Sequence, residues 1–179
     1  IVGKRLGNKV SGFLACSSVF LSFLVSCWAF VSLPALSPDE RRILQTAYQW
    51  VVSGSFTVAI SFLLDPLSAV MMLVVSGVSF VIHVYSVGYM HGDPRYTRYF
   101  GFLNLFVFSM LTLVMGGNLF LLYLGWEGVG LCSYLLIGFW FENIEYARAG
   151  MKAFVVNRIG DFAFFIGLLL LFWNLGSLD

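Results

Sequence analysis

Five apolar stretches, each near the length needed to cross a lipid bilayer, constrain this chain more than any other feature. A spanning helix takes about 20 mostly apolar residues, and the stretches at roughly 10–33, 66–87, 99–115, 119–141 and 153–173 meet that length. In lipid every backbone N–H and C=O must be satisfied by the chain itself, which leaves helices and closed barrels as spanning elements. Composition agrees. Of the 179 residues 60% are hydrophobic and 11% charged, whereas soluble domains carry about 25% charged residues. A chain of this size could not hide so much apolar surface from water, and a net charge of +1 offers nothing to a polyanion. A soluble enzyme, a nucleic-acid-binding module and a disordered segment are excluded. The expectation is an all-α integral membrane fold, a single membrane domain over 1–179.

Local signals punctuate the spans. Asp65-Pro66 predicts a capped helix start with proline at the first helical position. Gly116-Gly117-Asn118 predicts a tight turn ending in an N-cap, so the third and fourth spans are antiparallel neighbours. Pro34 and Pro38 close the first span. The segment at about 51–64 alternates instead, with Phe56, Val58, Ile60, Phe62 and Leu64 on one side, predicting an extended strand or hairpin at the membrane surface. Cys16, Cys27 and Cys132 lie inside apolar stretches without metal-ligand spacing. The first two would stand about 16 Å apart along a helix, beyond disulfide reach. A start at Ile1 and an end at Asp179, directly after an apolar segment, read as a fragment.

Orientation follows from the basic residues. One side of a five-span array holds Lys4, Arg5, Lys9, Arg95, Arg98, Arg148 and Lys152, and the other holds only Arg41 and Arg42. Seven against two predicts that Ile1 faces the cytoplasm or mitochondrial matrix, with the extended segment outside.

Ionisable groups at membrane depth are functional candidates by default. Glu127 lies in Gly125-Trp126-Glu127-Gly128-Val129-Gly130, eight residues into the fourth span. At 1.5 Å per residue that is about 12 Å deep in a layer of about 30 Å, near the midplane. The glycines let neighbouring helices or water approach, and a carboxyl held in lipid can exchange protons near neutral pH. The plainer alternative is a neutral carboxyl bonded to another helix. Asp161 lies eight residues into the fifth span, entering from the other side, so one or two waters could connect the two carboxyls. Arg158, three residues earlier, can reach Asp161 on the same helical face and either neutralise it for insertion or tune its affinity for protons. Lys152 begins the fifth span, where it can simply snorkel. His83, about one turn from the inner end of the second span, is a proton-entry candidate or a packing residue. Midplane carboxyls on glycine-loosened helices, with no redox or metal ligand set, describe a path for a small cation, most simply H⁺.

The run from Leu121 through Gly125, Trp126, Glu127 and Gly128 to Cys132, Ser133 and Gly138 closely resembles the distal antiporter-like subunits (chain 5, or L type) of respiratory complex I, NADH:quinone oxidoreductase. So do Met151–Asp161, with Lys152, Asn157, Arg158 and Gly160, as well as His83-Val84-Tyr85-Ser86-Val87-Gly88-Tyr89-Met90 and Leu64-Asp65-Pro66-Leu67-Ser68. The resemblance runs from about position 55 onward, the first 50 residues being similar only in hydropathy.

It implies that the five spans are the second to sixth of a longer helical array. It also implies that Glu127 couples to a lysine on the next helix and that Asp161 and Arg158 share its proton path. Proton translocation would then be driven by redox chemistry in partner subunits. Flavin (FMN), iron–sulfur clusters and quinone would sit there and no cofactor in this chain. Other membrane-arm subunits, a neighbouring antiporter-like one above all, would be the partners, in a bacterial plasma membrane or alternatively the mitochondrial inner membrane. Mrp-type sodium/proton antiporter subunits share these motifs and stand as an alternative. A non-conducting membrane scaffold is the second.

Overall fold

The computed structural model describes residues 7–37, 40–53 and 56–178. Lys4 and Arg5 of the charge count, Pro38 and the side chain of Phe56 lie outside what it describes. Helix α1 (Asn8–Ser32) runs into a short 3₁₀ turn at Leu33–Ala35, where Pro34 sits. A hairpin of β1 (Ile43–Ser53) and β2 (Phe56–Leu64) follows, and then α2 (Pro66–Tyr89), α3 (Tyr96–Val114), α4 (Leu119–Ile137) and α5 (Ile144–Leu175). All five helices are long and apolar enough to cross a membrane. The protein is a multi-pass, all-α membrane fold with one small hairpin.

Capping sets the helix starts. Asp65 Oδ1 accepts from the Ser68 amide at 2.7 Å while the Ser68 hydroxyl accepts from the Asp65 amide at 2.8 Å, a reciprocal box closing on Pro66. Asn118 does two jobs. Its Oδ1 accepts from the Leu121 amide at 2.8 Å, capping α4, and its Nδ2 donates to the Ala59 carbonyl at 2.7 Å. The α3–α4 turn is thereby pinned to the hairpin, reinforced by the Gly117 amide donating to Ser61 and the Leu63 amide donating to Met115, both at 2.8 Å. Gly117 has to be glycine, because a Cβ there would stand 2.7 Å from Ser61 Oγ.

The hairpin pairs Ile43 with Leu64 and closes at Ser53 and Phe56, interrupted between Thr46 and Tyr48 and again between Gln49 and Val51. It is longer than the 51–64 segment expected, because a whole first strand precedes that stretch. The fifth helix also begins earlier than 153, at Ile144, behind an Asn143 cap whose Oδ1 accepts from the Glu145 amide at 3.0 Å. Lys152 is therefore two turns inside α5 and does not begin it.

The helices pack in sequence order, α1 on α2 and α3, α2 on α3, α3 on α4, and α4 on α5. One end of the bundle gathers Lys9, Arg95, Arg98 and Arg148, and the hairpin covers the other. At the basic end Arg95 pairs with Glu142, and Trp140 Nε1 donates to Asp93 Oδ2 at 3.0 Å, tying the α2–α3 turn to the α4–α5 turn. Beneath them Ala15, Met90, Tyr96, Phe100 and Phe139 form the apolar core.

Candidate functional site

Glycines on α4 set the approach of its neighbours. A Cβ on Gly125 would lie 2.5 Å from the Leu113 amide nitrogen, and one on Gly128 would lie 2.6 Å from Ser109 Oγ, so α3 rests directly on this face. Gly130 points the other way, its would-be Cβ 3.9 Å from Asp161 Oδ2 on α5. Between these faces Tyr123, Trp126 and Glu127 are among the side chains that α4 presents to α5.

Glu127 is held at both carboxylate oxygens. The Tyr123 hydroxyl, one turn earlier, donates to Oε1 at 2.6 Å, and Arg158 Nη1 from α5 donates to Oε2 as a salt bridge. The Glu127 side chain is 17% exposed and that of Arg158 40%. The Arg158 guanidinium also lies 4.7 Å from the Phe154 ring centre, a cation–π contact on its own helix. Asp161 is 4% exposed, and its Oδ1 accepts from Trp126 Nε1 at 2.7 Å. Tyr123 and Trp126 are backed by Phe164, with ring centres 5.7 and 6.1 Å away. Asp161 further lines an open cavity of about 600 Å³ together with Trp126, Gly130, Ser133 and Asn157.

This differs from the expected arrangement in one respect. Arg158 pairs across the helix interface with Glu127 rather than along α5 with Asp161, whose near oxygen is taken by the indole. Asp161 lies well inside α5, which starts at Ile144, and its bond to Trp126 sets it level with the residue before Glu127. The residue types in the sequence point to Glu127, Asp161 and Arg158 and not to Tyr123 and Trp126, which carry no formal charge at membrane depth. The available signal was spacing: Tyr123 precedes Glu127 by four positions, the separation at which helical side chains meet.

Lys152 is exposed on α5 and makes no ion pair among the described residues. His83 is not part of the cluster. It is buried on α2, and α2 packs on α1 and α3 while α4 packs on α3 and α5. With all three ionised, Glu127, Asp161 and Arg158 sum to one negative charge, so one added proton makes the cluster neutral.

Residues 50–100 match the family described as "NADH-Ubiquinone oxidoreductase (complex I), chain 5 N-terminus", and residues 116–179 match "NADH:quinone oxidoreductase/Mrp antiporter, TM". The chain is 43% identical over 175 residues to NADH-quinone oxidoreductase subunit L of Pseudomonas aeruginosa, covering 98% of this chain and 28% of that protein. It is 40% identical over 180 residues to NADH-ubiquinone oxidoreductase chain 5 of Allomyces macrogynus, again covering 28% of that protein. The likeness therefore reaches into the first 50 residues, where hydropathy alone had been expected. The chain spans about 28% of the length of these relatives. Among solved structures, the fold is shared with a chain of the membrane-bound sulfane sulfur reductase, an archaeal respiratory membrane complex, at a TM-score of 0.84 and 23% identity, covering 99% of this chain and 35% of that one. It is also shared with a chain of the Mrp complex from Dietzia sp. DQ12-45-1b, at 0.71 and 22%, covering 96% and 19%. The family matches at 50–100 and 116–179 agree with the relatives, which align over nearly the whole chain: it belongs to the antiporter-like membrane subunits of complex I, the subunit L and chain 5 family.

Proposed function

We propose that this chain is part of a proton-translocating membrane subunit of NADH:quinone oxidoreductase, and that Glu127 loads and passes the proton as its pairing with Arg158 changes. One observation carries the reading: a carboxylate inside a membrane-crossing helix is held between a hydroxyl and a guanidinium from two different helices. Paired with Arg158, Glu127 is stabilised as the anion. When the guanidinium moves away, the carboxylate in a poorly solvated site takes up a proton. The lysine that the resemblance puts on the next helix would drive the proton off again by pairing with the carboxylate as the anion. Asp161 stands beside the pair through Trp126, and the cavity it shares with Ser133 and Asn157 has room for the waters that would carry the proton on. Lys152 stays outside this pair and contributes charge to the basic end.

On this reading the redox steps, with their flavin, iron–sulfur clusters and quinone, belong to partner subunits, and this chain contributes translocation without a redox site. Its partners are other membrane-arm subunits, a neighbouring antiporter-like one foremost. The membrane is a bacterial plasma membrane with the basic end cytoplasmic, or a mitochondrial inner membrane with that end in the matrix.

The test is Glu127→Gln in the full-length subunit within its assembled complex, with protons pumped and electrons transferred measured separately. Lost pumping in an assembled complex is expected. Unchanged pumping would leave only a scaffold role. Because the family matched at 116–179 also names Mrp antiporters, sodium/proton exchange is a second reading, favoured if pumping requires external sodium.

A further inference from the structure

Across α3 from this cluster, α1, α2 and α3 enclose a seam of neutral polar side chains in which one group is left unsatisfied. His83 on α2 has 0% of its surface exposed. Its Nδ1 lies 2.7 Å from the Ser79 carbonyl one turn earlier. A carbonyl only accepts, so Nδ1 carries the hydrogen and Nε2 presents a bare lone pair. Since Nδ1 turns back onto its own helix, Nε2, across the ring, is aimed off α2 toward its packed neighbours. Among the described residues, Nε2 is the one buried side-chain polar atom without a hydrogen-bond partner. An orphaned buried acceptor is costly, and interior waters ordinarily take such positions.

A cavity lies one layer of side chains away. At the basic end a cavity of about 650 Å³ is lined by Lys9, Gly12, Cys16, Val87, His91 and Tyr96. The Tyr96 ring packs on Phe100 at 4.7 Å, and Phe100 lies 6.0 Å from the His83 ring, so two buried aromatic rings are all that the contacts place between the cavity wall and the imidazole, and a water passes when they shift. One turn from His83 toward the same end, the Ser86 and Tyr99 hydroxyls are 3.3 Å apart. Toward the hairpin end the polar seam continues through Ser18 and Asn104, 3.0 Å apart, to Ser26 and Ser76, 3.2 Å apart. The titratable groups that pack in this core are Cys16 from α1 and Tyr96 and Tyr99 from α3, with Lys9 and His91 at the mouth and only Phe139 from beyond α4. Asp161 is the one charged side chain among the buried residues described, and it lies on α5.

We infer that His83 Nε2 holds an internal water supplied from the basic-end cavity past Tyr96 and Phe100, and that this imidazole is a second proton-exchange site, separate from Glu127 and Arg158. The step is a proton transfer alone. The water delivers H⁺ to Nε2, the ring becomes imidazolium while Nδ1–H stays on the Ser79 carbonyl, and the proton leaves again from Nε2. The transport role rests on the proton-translocation reading; the water does not.

Two measurements on the assembled complex with the full-length subunit test it. In the unaltered complex, hydrogen–deuterium exchange at the imidazole C2 position, read by mass spectrometry across pH, should be measurable at His83 and follow a titration curve. Absence of exchange at His83 throughout, under conditions where exposed His91 exchanges, overturns the site. In the second, His83→Gln keeps a hydrogen-bonding side chain that cannot take up a proton. The variant should assemble and keep electron transfer while protons pumped per electron fall several-fold. Unchanged pumping in His83→Gln overturns the transport role. If Glu127→Gln loses pumping and His83→Gln keeps it, this inference alone fails; if both keep it, the proton-translocation reading fails first. Should His83→Gln not assemble, the exchange measurement decides.

Discussion

The α4–α5 interface and the α1–α2–α3 seam both place polar side chains inside membrane-crossing helices, and they satisfy them by opposite means. At α4–α5 the bonds cross between helices and involve full charges, Arg158 to Glu127 and Trp126 to Asp161. In the seam the strongest bonds return to the side chain's own helix: Ser26 to the Ser22 carbonyl at 2.8 Å, Ser76 to the Met72 carbonyl at 2.5 Å, His83 to the Ser79 carbonyl. A hydroxyl that bonds its own helix can be removed with little consequence, because the carbonyl it leaves keeps its bond within the helix. A charge satisfied only across an interface cannot, because the group left behind is an uncompensated ion. The interface that depends on a specific partner is the one that can respond when that partner moves.

The contrast is broken most sharply at Arg158. Removing one member of a buried pair costs about 3–5 kcal/mol; with the Arg158 side chain 40% exposed, solvent screening lowers the expected loss for Arg158→Met to about 2 kcal/mol. Adding Glu127→Gln to that variant should recover most of the loss, because the Glu127 charge that lost its partner is gone as well. Thermal unfolding of the assembled complex measures both, and a double variant no more stable than Arg158→Met alone would mean the pair is not coupled. Next comes Trp126→Phe, which keeps the ring against Phe164 and removes the donor to Asp161. A hydrogen bond to a charged group contributes about 1.5–3 kcal/mol, so a loss near the lower figure is expected in the same melt. The smallest effect belongs to the seam. Ser76→Ala should cost less than about 0.6 kcal/mol, the mean for interhelical hydrogen bonds in a membrane protein. A Ser76→Ala loss as large as that of Trp126→Phe would erase the distinction between the two regions.

What the sequence made legible follows from the same physics. Length and apolarity mark a bilayer span, so all five helices were readable, and Asp65 and Asn118 announced the starts of α2 and α4 through their caps. Nothing in span logic marks a helix that continues past the lipid, so the first two turns of α5, carrying Glu145 and Arg148, lie outside the span that apolarity predicts. Strand β1 was hidden for a different reason. Its two register interruptions break the alternation on which a strand is recognised. Within the site, the residue types identified Glu127, Asp161 and Arg158, but not which of two carboxylates the guanidinium would choose. That choice is made by Trp126, from the adjoining helix, occupying Asp161.

The central claim is that the Glu127 side chain gains and loses a proton within the membrane. Infrared difference spectroscopy of the working complex observes this directly, through the C=O stretch of a protonated carboxylic acid. A band that appears and disappears with turnover, and is absent from the Glu127→Gln complex, is the predicted result. Turnover with no carboxylic-acid band that depends on Glu127 would contradict the account.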